Sequence, residues 1–309
     1  MKKKTINLVI KNKVNEWLAS IDNEVVRNLA RRDVIVTGGC IASMLLKEKV
    51  NDFDIYFKTK DTTFEVAKYY LAKFKEKHNV NSLVNTNSYV ENLDDRVSIL
   101  IKSAGVASEE SDKNQYSYFE MMQDSVGSEY VQNVVGGEVE DTYDEVNEKA
   151  QEIEDKSYRP VFLSTNAITL SNRIQIVTRF SGNAEQIHEN FDFVHCTNYW
   201  TPNDGVVLNQ KALEAILARE LRYVGSKYPL CSILRMRKFI QRGWTINVGQ
   251  ILKAVVQLQD INLKDIDVLR DQLTGVDSSY FVQVINRLKE KGGESIDSAY
   301  LIEIVDRIF

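Results

Sequence analysis

A chain of 309 residues that is 43% hydrophobic and 27% charged can bury the core of one large domain or two modest ones. No apolar run reaches the ~20 residues a membrane-spanning helix needs, which sets a membrane partner aside. The basic start at residues 1–4 is followed by too short an apolar stretch for a secretory signal.

Cys40, Cys196 and Cys231 stand in no CxxC spacing, and any disulfide would leave one of them over. This usage points to a reducing, cytoplasmic setting without structural zinc. The net charge of −5 is unevenly spread: residues 106–157 hold fifteen acidic and three basic side chains. The rest of the chain is therefore basic, and an overall acidic balance does not exclude a phosphate-rich partner.

In chain order, apolar residues at three- and four-residue intervals predict an amphipathic helix over 13–32. Val34-Ile35-Val36-Thr37 is a β-branched run stopped by Gly38-Gly39. A short helix over 40–49, a strand over 52–58 and a helix over 62–77 follow, then a strand over 97–102. Residues 106–157 read as an acidic surface insertion, partly helical near 145–155. Strands are expected at 161–164, 167–170 and 174–180, a short helix at 184–189 and a strand at 191–196. Beyond the turn signal Pro202-Asn203-Asp204-Gly205, helices are expected at 209–223, 229–242, 248–259, 263–273, 279–291 and 295–308. The fold class is α+β: a mixed sheet followed by an all-α C-terminal region.

Asp52 and Asp54 lie one residue apart on a strand, so both side chains point to one face while Phe53 and Ile55 point to the core. Paired hard oxygen donors suit Mg²⁺, which also takes phosphate oxygens. Upstream, Gly38-Gly39 at a strand-to-helix junction lets backbone N–H groups approach a phosphate. His78, His188 and His195 stand in no metal-ligand spacing and read as core or surface residues. Tyr199 and Trp200 read as core aromatics, with base stacking as the alternative.

The run Thr37-Gly38-Gly39-Cys40-Ile41-Ala42-Ser43-Met44-Leu45-Leu46 followed by Asn51-Asp52-Phe53-Asp54-Ile55 resembles the head of the DNA polymerase β-like nucleotidyltransferase superfamily. The bacterial-type CCA-adding enzymes and poly(A) polymerases are the most similar variety. The resemblance implies that Gly38 and Gly39 bind the triphosphate and that Asp52 and Asp54 bind two Mg²⁺ ions, with Mn²⁺ as a substitute. Asn190-Phe191-Asp192-Phe193-Val194-His195-Cys196 is similar to a later family segment, which makes Asp192 a third carboxylate for catalysis and metal. Residues 221–246 resemble the family's helical neck, where Arg235 and Lys238, three apart on one helical face, would meet the nucleotide. Arg237 and Arg242 read as lying elsewhere on the wheel. Two departures stand out: the family's Arg-Asp after the glycines is Ala42-Ser43 here, and its base-selecting template is not recognisable around 227–232.

The expected organisation is a nucleotidyltransferase head over 1–205 carrying the insertion 106–157, a helical neck over 206–247 and a helical region over 248–309. The expected activity is Mg²⁺-dependent, template-independent transfer of NMP from an NTP to a hydroxyl acceptor, an RNA 3′ end (tRNA-like or other), with release of pyrophosphate. Two alternatives remain: nucleotidylation of a protein or small molecule, and a catalytically inactive binding or regulatory module.

Overall fold

The computed structural model describes residues 1–77, 88–93, 96–101, 120–121, 158–163, 166–265, 268–269 and 272. The expected helices 145–155, 279–291 and 295–308 lie outside these residues, as do residues 266–267, 270–271 and 273 of the expected helix 263–273.

The expected helix over 13–32 is two helices, α1 (Lys3–Ser20) and α2 (Glu24–Asp33). The apolar period runs on through the junction because Ile21 is fully buried in extended conformation. Asn23 then caps α2 by accepting from the Val26 N–H at 3.1 Å. Next come β1 (Val34–Thr37), α3 (Gly39–Leu46), β2 (Phe53–Phe57) and α4 (Lys60–Lys77). A separate hairpin pairs β3 (Ser88–Asn92) with β4 (Val97–Ile101). Within the acidic insertion, β5 (Glu120–Met121) pairs with β6 (Pro160–Leu163). β7 (Ala167–Leu170), β8 (Ile174–Ser181) and α5 (Ala184–His188) follow close to the expected positions.

Two corrections follow. The expected strand at 191–196 is a 3₁₀ turn, Val194–Cys196, preceded by a single bridge from Phe193 to Tyr223. The turn signal at Pro202 is the tip of a hairpin joining β9 (Tyr199–Thr201) to β10 (Gly205–Val207). The chain then forms α6 (Gln210–Ala218), α7 (Pro229–Gln241) and α8 (Val248–Gln259). Helix α6 stops short of its expected end because Arg219 turns left-handed at φ 48°. No helix among the described residues is long and apolar enough to cross a membrane.

Eight strands make one mixed sheet in the order β10-β9-β1-β2-β8-β7-β6-β5, with β2 and β8 parallel and every other pair antiparallel. Val34 and Val36 of β1 and Phe53 and Ile55 of β2 join α1, α2 and α4 in the larger core. Helix α1 contributes Ile6, Ile10, Val14 and Trp17 to it, a stripe of one helical face. Each such side chain stabilises by about 1.5–3 kcal/mol on burial. The opposite face presents Ile35 and Tyr56, which pack with Ala184 and Ile187 of α5. A further core joins Ala42 of α3 to Phe193, Tyr223, Met236, Trp244 and Ala254, and so seats the C-terminal helices beneath the helix that follows the glycines.

Candidate active site

The sheet face that carries Ile35 and Tyr56 also carries Thr37 and Asp54, because Ile35 pairs with Tyr56 and Thr37 with Asp54 in antiparallel register. Gly38 follows Thr37 with φ +93° and ψ −152°, a conformation that side-chain-bearing residues rarely adopt. A methyl group on Gly38 would sit 2.3 Å from Oδ2 of Asp54, so only glycine lets the strand end lie against that carboxylate. The Gly38 N–H donates to the Cys196 carbonyl at 3.2 Å, and the Thr37 hydroxyl donates to the Asn198 carbonyl at 2.9 Å. His188 Nε2 lies 2.8 Å from the same hydroxyl. Gly39 opens α3, and a Cβ there would meet no atom within 4 Å. The amino end of α3 at Gly39 therefore borders open space, with the Asp54 carboxylate against the preceding Gly38.

Asp52 lies just before β2 and Asp54 within it, on one face as expected, and both remain half-buried. Burial and the neighbouring Asp52 push the Asp54 carboxyl well above the usual range, with Arg235 opposing. Burial also raises Asp52, while Lys238 and Arg242 pull it back. The negative potential spreads: burial first, then Asp54, holds Cys40, Cys196 and Tyr56 in their protonated forms. Two carboxylates crowded in this way favour a cation between them.

Asp192, only 7% exposed, gives its Oδ2 to the Arg235 guanidinium, while its Oδ1 is buried with no hydrogen-bond partner. Arg235 of α7, expected to meet the nucleotide, is paired with Asp192, and its charge also acts on Asp54. The charges of Lys238 and of Arg242, which the sequence reading placed elsewhere, both act on Asp52. Arg242 is seven residues, two helical turns, from Arg235 and so follows it along one face. That spacing was the available signal.

The pair Asp52–Asp54 fits a divalent cation of the Mg²⁺ type: hard oxygens, partial exposure and a charge that burial leaves uncompensated. Among the described residues, no group of three His, Cys, Asp or Glu side chains is arranged to hold a metal ion. Any further oxygen ligands would come from substrate. The residues flanking Asp54 in the sheet are the neutral Thr37 and Gln175.

Two side chains are settled as core. Trp200, 3% exposed, donates from Nε1 to Asn7 Oδ1 at 2.9 Å, so it is not a base-stacking platform. His195, 1% exposed, is wedged against Trp244 and Phe239 with ring centroids 4.3 and 4.7 Å away. The departure at Ala42 has a packing reason: Ala42 is 3% exposed inside the apolar cluster around Phe193. An arginine there would have to enter that cluster.

In the mixed sheet a strand runs through two glycines into a helix, and the next strand returns beside a pair of aspartates. Residues 8–219 match the profile of the Gabija anti-defense 2 family, and the chain belongs to that family. A protein of Bacillus phage SPbetaL7 named Gabija anti-defense 2 is 20% identical over 296 residues, covering 95% of this chain and 53% of that protein. The chain therefore spans about half the length of that curated relative. Among solved structures, the Thermotoga maritima CCA-adding enzyme complexed with tRNA aligns over 84% of this chain and 49% of its own, with 16% identity and a TM-score of 0.36. The Bacillus stearothermophilus CCA-adding enzyme in complex with CTP aligns over 85% and 49%, with 12% identity and a TM-score of 0.34.

Proposed function

We propose that the chain transfers a nucleoside monophosphate from an NTP to a hydroxyl acceptor and releases pyrophosphate, and that it does so in the cytoplasm. The observation that carries this reading is the contact between Gly38 and Asp54. Gly38 lies so close to the Asp54 carboxylate that no side chain fits between them, and Gly39, where an added Cβ would meet nothing within 4 Å, opens α3 next to it; this supports seating phosphate at the amino end of that helix.

In this reading, the amides of α3 from Gly39 onward seat the triphosphate, the Gly38 N–H being already bonded to the Cys196 carbonyl, and Asp52 and Asp54 hold the metal. Asp192, expected from the sequence as a third metal carboxylate, does not join them as a ligand, since no three such side chains are grouped to hold a metal among the described residues; it holds Arg235 instead. Bound divalent ions would lower the pKa of the attacking hydroxyl and neutralise charge on the leaving pyrophosphate. Lys238 places a further positive charge over the same recess, and Arg235, held by Asp192, fixes α7 against it. The acceptor in this proposal is an RNA 3′ end, supported by the sequence resemblance and by the basic remainder of the chain. The family's description as anti-defense supports a role for that transfer in disabling a host defence.

A second reading has its own observation. The Arg235 charge is already engaged by Asp192, and Ala42 and Ser43 stand where the resembled family carries Arg-Asp. Both favour a module that binds nucleotide without turning it over.

The test is to incubate the protein with each α-labelled NTP, Mg²⁺, cellular RNA and cell protein, and to find where the label goes. Label at RNA 3′ ends supports the proposal, and label in protein moves the acceptor to that class. Mg²⁺-dependent NTP binding with no label transferred supports the second reading. Absence of both binding and transfer would reject the site assignment.

A further inference from the structure

Strand β8 is reached from β7 by a tight turn in which Asn172 and Arg173 both have positive φ, 63° and 59°. Such a turn needs left-handed residues at its centre, and asparagine is a common occupant. Arginine is not, because its Cβ crowds the following carbonyl at a cost of roughly 1–2 kcal/mol. A strained residue that persists in a fold points to a local task.

The partners of Arg173 show what that task is. Its backbone carbonyl accepts from the Phe53 N–H at 2.8 Å, and its Nη1 donates to the Val50 carbonyl at 3.1 Å. Phe53 follows Asp52 directly, and Val50 precedes it by two residues. One residue thus grips the backbone on both sides of Asp52. The grip matters because Asp52 lies outside β2, which begins at Phe53, and so lacks the ladder hydrogen bonds that hold Asp54. The left-handed conformation is what lets the carbonyl meet Phe53 while the side chain reaches back to Val50. The parallel register that follows, Phe53 to Ile174 and Asp54 to Gln175, continues from that first contact.

We propose that Arg173 is a positioning residue that pre-sets the Asp52 carboxylate beside Asp54 and thereby sets the affinity of the pair for a divalent cation. This rests on the metal-site reading above. Residues that orient a metal ligand typically contribute 10–100-fold in affinity.

The test measures Mn²⁺ binding to the full chain by electron paramagnetic resonance, with no nucleotide and no turnover. Arg173→Gly keeps the left-handed turn at no steric cost and removes the bond to Val50, and circular dichroism checks that it is folded before titration. Its Kd for Mn²⁺ is expected to rise at least tenfold. Arg173→Lys, which keeps a donor for the Val50 carbonyl, is expected to recover most of that loss. Wild-type affinity in Arg173→Gly, or no recovery in Arg173→Lys, would overturn the inference while leaving the metal site standing. The Asp52→Asn/Asp54→Asn variant separates the two failures: Mn²⁺ bound as tightly by it as by wild type would overturn the metal-site reading itself.

Discussion

Replacing each glycine of the pair by alanine separates backbone necessity from ligand approach. At Gly38 the φ of +93° with ψ of −152° costs an alanine about 1–3 kcal/mol. The added methyl, 2.3 Å from Asp54 Oδ2, forces that carboxylate off its rotamer for roughly another 1 kcal/mol. The sum, about 2–4 kcal/mol, lowers the unfolding temperature by roughly 5–15 °C in a domain of this size. At Gly39 neither cost exists, since the φ is ordinary and no atom lies within 4 Å of the added carbon. Alanine is also the better helix former, by about 0.5–1 kcal/mol. Gly39→Ala is therefore expected to melt as high as wild type or a few degrees higher. It is nevertheless expected to bind NTP at least tenfold more weakly, because the methyl fills the space through which phosphate reaches the amides of α3. Differential scanning fluorimetry and NTP titration on both variants check this. A Gly38→Ala protein that melts with wild type would refute the backbone reasoning. A Gly39→Ala protein that binds NTP normally would refute the phosphate reasoning.

Other outcomes follow from the same geometry. Asp54→Asn removes a charge that burial and Asp52 disfavour, so in EDTA the variant is expected to melt above wild type. Mg²⁺ at a hundred times its Kd is expected to stabilise wild type by about 2.7 kcal/mol and to leave Asp52→Asn/Asp54→Asn unmoved; thermal melts with and without Mg²⁺ decide this. Burial lowers the His195 pKa to about 4 from 6.5, so folding favours the neutral ring, and its contribution is complete above pH 6.5 and lost as pH falls towards 4. Urea denaturation of wild type and His195→Phe at pH 7 and 4.5 is expected to show wild type losing about 2–3 kcal/mol more on acidification. Equal losses would refute the assignment of that proton. Arg235→Met leaves the buried Asp192 carboxylate without its ion-pair partner and is expected to cost about 1–3 kcal/mol, read by the same denaturation at pH 7.

Much of this site was legible because it is local. Gly38, Gly39, Asp52 and Asp54 lie within seventeen residues of one another, and strand alternation alone puts both aspartates on one face. The 3₁₀ turn at Val194–Cys196 was not legible, for a physical reason. Phe191 packs towards Tyr56 and Phe193 towards Phe239, with ring centroids 5.9 and 5.5 Å apart. The segment therefore bridges two cores, and its alternation imitates a strand. The break between α1 and α2 was hidden because Ile21 keeps the apolar period while leaving the helix. Arg242 was missed because its proximity to Asp52 depends on how α7 packs, which the sequence carries only as a seven-residue spacing. Arg173 has no motif: its role comes from a left-handed φ and two backbone contacts that appear only on folding.

The central claim is that Asp52 and Asp54 carry a metal-dependent transfer of NMP from NTP. The direct measurement is pyrophosphate release and label transfer from α-labelled NTP in Mg²⁺, by wild type and by Asp52→Asn/Asp54→Asn at equal folded concentration. The account predicts transfer by wild type that stops in EDTA and is lost by a thousandfold or more (~4 kcal/mol) in the double variant. Equal transfer by the two proteins would contradict it.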